Sequence, residues 1–472
     1  MPRFRPLPLL AACCCVFLAI AGHAVQAAPA ASPKGSSLDF SFHDLGSGDG
    51  ATLLVIGGIQ GDEPGGFSAA ALLATHYTIT KGNVWVVPNL NFPSIITRSR
   101  GNAGDMNRKF AHIDAKDPDF SVVSRIQEII LDPRVDLVLN LHDGSGFYRA
   151  QYENEMMNPK RWGQCVIIDQ EEMEIVSHPF GALAGMADVA VSDANRELIK
   201  PEHRYSIRNT RTREGDKEME KSLSYFAVRN GKPAFGIEAS KSFTTEFRSY
   251  YHICILESFM RQMGIEFVRH FPLSPTGVQT AINSNISVGL CGNRVMLPLD
   301  NVRPVIAGYI PMRKNAALAA SGSSPLMAVL PEKNQWKIAY GNRTLTLLTP
   351  EYLDFDDSLD ELELSVDGTR VIARPGEIVW VEKSFLVKGL AGFRVNAIGA
   401  RKEKKDGSEC DVLLQRTDFQ DRYSIDKSGT TYRVEVYKGK AFSGMFLVRF
   451  GNVAAEGQTM TATQGIETRF GF

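Results

Sequence analysis

The chain has 472 residues, 44% of them hydrophobic and 22% charged, with a formal net charge of −1. That length exceeds one compact core, so two or three domains are expected. The balanced charge excludes the broad basic field that nucleic acid or an anionic membrane calls for, and leaves any anionic ligand to a few local cations.

Arg3 and Arg5 precede the apolar run from Leu9 to Ile20, and Val25-Gln26-Ala27 supplies small residues in a signal-peptidase pattern. Residues 1–27 therefore read as an export signal. The apolar run is shorter than the ~20 residues of a membrane span, so no integral span is expected after cleavage. Leu10-Ala11-Ala12-Cys13 also resembles a lipoprotein box, but little apolar sequence precedes the cysteine. Cys165, Cys254, Cys291 and Cys410 remain after cleavage without C-x-x-C spacing. One disulfide or four separate buried thiols both fit that scatter.

Up to about Pro272, strand and helix alternate. Thr52–Ile56 and Val84–Val87 are short apolar strands, and Phe67–Leu73 between them is helical. Ser121–Leu131 reads as an amphipathic helix, and Val135–Leu141 as a strand leading to His142. Ser222–Asn230 is helical and stopped by Gly231, Ala234–Ile237 is a strand, and Tyr250–Phe271 a long closing helix. This alternation predicts an α/β domain, a sheet flanked by helices with its functional groups at strand ends. After Pro272 helical periodicity fades into short alternating segments, such as Arg343–Leu347 and Glu361–Val366, the latter followed by the hairpin signal Asp367-Gly368. Ile378–Val381, Phe393–Ile398, Tyr432–Tyr437 and Met445–Phe450 continue the β pattern. The acidic stretch Asp354–Asp360 reads as a joint between β modules. The expected division is a catalytic domain over 38–272, a β-rich domain over 273–356 and a sandwich-like β domain over 357–472.

Four segments carry chemistry. Gln60 and Glu63 stand three apart in a glycine-rich turn after the first strand, which suits one metal or merely a polar turn. Arg100, Asn107 and Arg108 form a polar loop able to hold a carboxylate through charge-assisted hydrogen bonds. His142 emerges from an apolar strand as a metal ligand or a structural histidine. Glu238 ends a buried strand, where desolvation favours a general base.

Taken in order, Gln60-x-x-Glu63, Arg100, Asn107-Arg108, His142 and Glu238 resemble the zinc carboxypeptidase superfamily. Asp105-Met106-Asn107-Arg108-Lys109-Phe110 is similar to its D-L-N-R-N-F stretch, and the likeness runs from about Leu53 to Phe271. Gln60 stands where that superfamily has histidine. With the Gln60–Gly66 turn and the β-rich tail, this resembles the cell-shape DL-carboxypeptidases of helical and curved bacteria. The resemblance implies a periplasmic enzyme that binds Zn²⁺ through Gln60, Glu63 and His142. Glu238 would be its general base, Arg100 its oxyanion stabiliser, and Asn107 and Arg108 its clamp on the terminal carboxylate. The implied substrate is a peptidoglycan stem tripeptide, cut between γ-D-glutamate and diaminopimelate. Arg208 or Arg211, in the polar stretch 204–217, is a candidate reader of a second carboxylate. A zinc deacylase of N-acyl amino acids and an inactive peptidoglycan-binding scaffold are the alternatives.

Overall fold

The computed structural model describes residues 35–451, apart from 47, 174–177, 403 and 405–406. The expected export signal lies outside the described residues. Seven strands form one mixed sheet in the order His43–Gly46, Asn83–Val87, Thr52–Ile56, Val135–Gly144, Ala234–Ser240, Cys165–Ile168, Ser206–Asn209. Thr52–Ile56, Val135–Gly144 and Ala234–Ser240 run parallel in the middle. The first and last of these are buried at every residue, as continuous apolar runs demand when both faces are covered.

The helices are α1 (Pro64–His76), α2 (Phe92–Thr97), α3 (Phe120–Leu131), α4 (Leu183–Arg196), α5 (Leu223–Arg229), α6 (Thr245–Gln262) and α7 (Pro275–Asn283). On one face of the sheet α6 packs between α1 and α4. α3 and α5 are linked through Phe110, whose carbonyl accepts from Gln127 of α3 and whose ring lies 6.0 Å from that of Phe226 in α5. Among the described residues no helix is long and apolar enough to cross a membrane. The four cysteines after residue 34 are free thiols, Cys165 and Cys254 buried.

Several elements run differently from their apolar patterns. The strand expected to stop at Leu141 continues to Gly144, because Leu141–Gly144 pair with Ile237–Ser240. The same pairing keeps Glu238 inside its strand. The long closing helix ends at Gln262, since Gly264 adopts a left-handed φ of 70° and stops it. Glu266–Arg269 then pair antiparallel with Tyr77–Lys81, so the tail of that stretch alternates as a strand. Helix also returns after Pro272. Ser274 caps α7, its hydroxyl accepting from the Gly277 amide at 3.0 Å, with Pro275 in the first turn.

Two small all-β domains follow. In the first, one sheet holds Val295–Pro298, Ser287–Leu290 and Ala320–Gly322, and another Val305–Arg313, Arg343–Leu353, Gln335–Tyr340 and Met327–Glu332. The second stacks two four-stranded sheets over a core that includes Leu364, Val381, Phe385, Val434 and Val448. Its Asp367-Gly368 turn has φ of 52° and 85°, the two positive values that a type I′ hairpin needs. The acidic stretch is tied down: the Phe355 and Phe442 ring centroids lie 4.9 Å apart, and Asp357 pairs with Arg294 and Arg313. Arg433 joins the two β domains. Fully buried, it donates to the carbonyls of Ala307 (3.0 Å) and Tyr309 (2.6 Å) where the strand Val305–Arg313 bulges, and pairs with Glu435 at 3.1 Å.

Candidate active site

The turn after Thr52–Ile56 is glycine-rich because backbone meets backbone there. A Cβ on Gly61 would lie 2.0 Å from the Ser94 carbonyl carbon, and one on Gly65 2.4 Å from Asp143 Oδ1. This close packing presses Gln60 and Glu63 against the strand Val135–Gly144. His142 Nδ1 lies 2.9 Å from Gln60 Oε1 and 3.0 Å from Glu63 Oε2. The three residues are only 2%, 3% and 6% exposed for Gln60, Glu63 and His142.

Each donor atom is oriented by a partner. Gln60 Nε2 donates to Asp105 Oδ1 at 2.8 Å, which turns the amide oxygen toward His142. The other Asp105 oxygen accepts from Arg100 Nε (3.0 Å) and Nη2 (2.9 Å). Burial alone would raise the Asp105 carboxyl, but the Gln60 hydrogen bond and the Arg100 charge hold it below the usual carboxylate range. Glu63 Oε2 also accepts from the Asp143 amide at 3.2 Å, while Oε1 lies 3.4 Å from both Arg100 Nη1 and Lys241 Nζ. Glu63 therefore offers one oxygen to the site and keeps the other among cations.

Glu238 pairs with His142 in the parallel register, which sets both side chains on one face, about 4.8 Å apart along the sheet. Its Oε2 is buried and has no hydrogen-bond partner. Burial pushes its carboxyl well above the usual glutamate range; the charges of Glu63 and Asp143 add to this, and Lys241 and Arg100 oppose it. Asn107 Nδ2 reaches to 3.4 Å from His142 Nε2, and its Oδ1 accepts from the Leu223 amide that begins α5. Arg108 donates one nitrogen to the Asn107 carbonyl at 3.0 Å, and its Nε lies 3.7 Å from Glu218. All seven residues singled out in the sequence thus belong to one neighbourhood.

The sequence reading missed the residues behind them. Asp143, on the opposite sheet face, accepts from the Gly65 amide (2.8 Å), Arg248 (3.1 Å) and His252 (3.2 Å). It thereby fastens the start of α1 and the face of α6 to the strand bearing His142. Arg248 and His252 are four apart on one helical face, a readable signal, and Asp105 sits two residues before Asn107. Nothing in the sequence marks Lys241. Of the two candidate readers of a second carboxylate, Arg208 lies on the edge strand Ser206–Asn209, while Arg211 is exposed.

An imidazole nitrogen with a carboxylate oxygen and an amide oxygen each about 3 Å from it forms a donor set suited to a divalent metal. Among the described residues no cluster of three His, Cys, Asp or Glu is placed to hold one. Asp105→Asn should free the amide to present its nitrogen instead. We expect metal affinity to fall about 10–100-fold, the range for outer partners of metal ligands, in chelator competition. Unchanged affinity would show that Asp105 does not orient Gln60.

A mixed α/β sheet with such a donor set and a buried carboxyl at its strand ends is the build of a metal-dependent hydrolase. Residues 39–283 match the catalytic domain of carboxypeptidases controlling helical cell shape, and 355–451 the C-terminal domain of metallo-carboxypeptidase. The chain belongs to this family, and it is a peptide hydrolase of the metallopeptidase class. Apo cell shape determinant protein Csd4 of Helicobacter pylori superposes with a TM-score of 0.79 at 37% identity, over 88% of this chain and 100% of that one. The mDAP-bound form of Csd4, described as a D,L-carboxypeptidase, matches with TM-score 0.79 and 37% identity over 86% of this chain and 100% of its own. A curated relative, N-alpha-acetyl-L-2,4-diaminobutyric acid deacetylase of Halomonas elongata, is 35% identical over 105 residues, 21% of this chain. The match spans 30% of that relative's length, well short of the whole protein.

Proposed function

We propose that this chain is a zinc D,L-carboxypeptidase of the periplasm that cuts the peptidoglycan stem tripeptide between γ-D-glutamate and diaminopimelate and so influences cell shape. The observation that carries the reading is the convergence of Gln60 Oε1 and Glu63 Oε2 on His142 Nδ1, beside the unpartnered buried oxygen of Glu238. Csd4 structures are described with tripeptide and with mDAP bound, which supports the substrate. The signal pattern over residues 1–27 supports the compartment.

Gln60, Glu63 and His142 would hold zinc, which when bound lowers the pKa of water toward neutrality and polarises a carbonyl. Glu238 takes the proton of the attacking water and later delivers it to the leaving amine. Arg100, half-exposed beside Glu63, donates to the scissile carbonyl oxygen as charge develops there. Asn107 and the uncommitted side of Arg108 hold the terminal carboxylate, which fixes the cut one residue from the end.

That clamp sets the test. Purified enzyme is incubated with muropeptides of defined stem length and the products are followed by mass spectrometry. The tripeptide should release diaminopimelate. A tetrapeptide ending in D-Ala places its carboxylate one residue too far and should resist this cut. Amidating the terminal carboxylate should cost about ten- to hundredfold in kcat/KM, as expected when a charge-assisted hydrogen bond is lost. Equal release from all three would sink carboxylate recognition as the positioning device.

A further inference from the structure

The registers of three neighbouring strands place one more cation on the face that carries the site. Glu238 pairs with Cys165, and Cys165 pairs with Ser206. Residues two apart on a strand share a face, so Arg208 projects on the same side as His142, Glu238 and Cys165. The Cys165 thiol lies between them and feels the charges of both Glu238 and Arg208.

Arg208 is held firmly, but not by an acid. Its guanidinium carbon lies 3.5 Å from the centroid of the Trp162 ring and 5.0 Å from that of Tyr148. One nitrogen, Nη1, donates to the carbonyls of Arg161 (2.7 Å) and Pro159 (3.2 Å). These contacts all come from the segment between the His142 strand and the Cys165 strand, which fixes the group in place. Several neighbouring cations already face carboxylates: Arg100 faces Asp105 and Glu63, Arg108 Glu218, Lys241 Asp62 and Glu63, and Arg149 and Arg204 Glu153. Among the described residues Arg208 pairs with no carboxylate. Its Nε and Nη2, the side-on fork that takes a carboxylate through two hydrogen bonds, are left over.

We infer that Arg208, stacked on Trp162, is a specificity residue that binds a free carboxylate on the substrate residue whose carbonyl is cleaved. This rests on the proposed carboxypeptidase reading. An α-linked neutral residue has no carboxylate beside its scissile carbonyl. A γ-linked acidic residue does, because its α-carboxylate stays free about 5 Å, four bonds, from the scissile carbon. Arg208 is level with Gly236, two strand spacings across and two residues along from Glu238, or about 12 Å, a gap that its long side chain and such a residue span together. The subsite therefore selects an acid over its amide.

The test compares two tripeptides that differ only at this carboxylate, one with γ-linked D-glutamate and one with its α-amide. Kinetics with wild type, R208M and R208K accompany metal content and thermal unfolding. Wild type should prefer the acid by about ten- to hundredfold in kcat/KM, mainly through KM, the ratio expected for a charged hydrogen-bonded pair. In R208M the ratio should collapse to about one, and R208K, with charge but no fork, should fall between. A wild-type ratio near one overturns the inference, as does a folded, metal-loaded R208M that keeps the wild-type ratio. If wild type cleaves neither peptide, the tripeptide reaction itself fails and the subsite with it. Should R208M not fold, R208K decides: a reduced ratio supports the fork, and an undiminished one removes it.

Discussion

Glu238→Gln should lower turnover by at least ~10²-fold while metal stays bound, the lower end of general-base effects. The amide has nearly the shape of the carboxyl but cannot take a proton. Glu238 is suited to the task by its surroundings: a buried oxygen without a partner, and a carboxyl held above the usual glutamate range by burial and by Glu63 and Asp143. Its activity limb should therefore rise with pH, because the ionised form is the base, and the limb should vanish in the variant. Stability supplies a second readout. A carboxyl whose pKa is higher folded than unfolded stabilises fully below its unfolded value of about 4.3. That contribution is lost as pH rises through the folded value. Metal-free Glu238→Gln should therefore unfold at a higher temperature than wild type at neutral pH. Near-normal turnover with metal retained would rule out the general-base role.

His142→Ala should lose metal and activity together. His142 Nδ1 is the point on which Gln60 Oε1 and Glu63 Oε2 converge, and its removal leaves two oxygens, one of them a neutral amide. Zinc favours nitrogen over neutral oxygen, so the deficit exceeds what losing one of three equal ligands would cause. Affinity should fall by more than about a hundredfold, the upper end for substitutions one shell further out. Elemental analysis of the purified variant checks this, and full occupancy by one zinc per chain would remove His142 from the site.

Much of this site was legible because its residues lie on the parts of an α/β domain that sequence marks best. Thr52–Ile56 and Ala234–Ile237 are plain apolar runs, and the polar residues following them had to lie near strand ends. Which orientation those residues adopt was not legible. That Gln60 presents its oxygen depends on Asp105, 45 positions later, which in sequence is one acid in a polar loop. Lys241 and Asp143 are placed by packing between strands and α6, and no local pattern records it. The fold diverged from its reading where apolar content outlasted helix. Phe267 and Val268 extend the pattern of α6, yet the turn at Gly264 sends them into a two-stranded sheet. Ser274-Pro275 was the reverse case, a helix start hidden by the change in composition around it.

Arg433 bears on how far the chain can be shortened. Its guanidinium fills the donor positions of two carbonyls, at Ala307 and Tyr309, that belong to the preceding β domain. A chain ending at residue 354 would leave those acceptors at a bulged strand edge and remove Ile425, Phe442 and Met445 from the apolar cluster that also holds Val302 and Ile306. Unpaired strand edges recruit other strands. The tail thus covers an edge of the domain before it, and a shortened enzyme should self-associate.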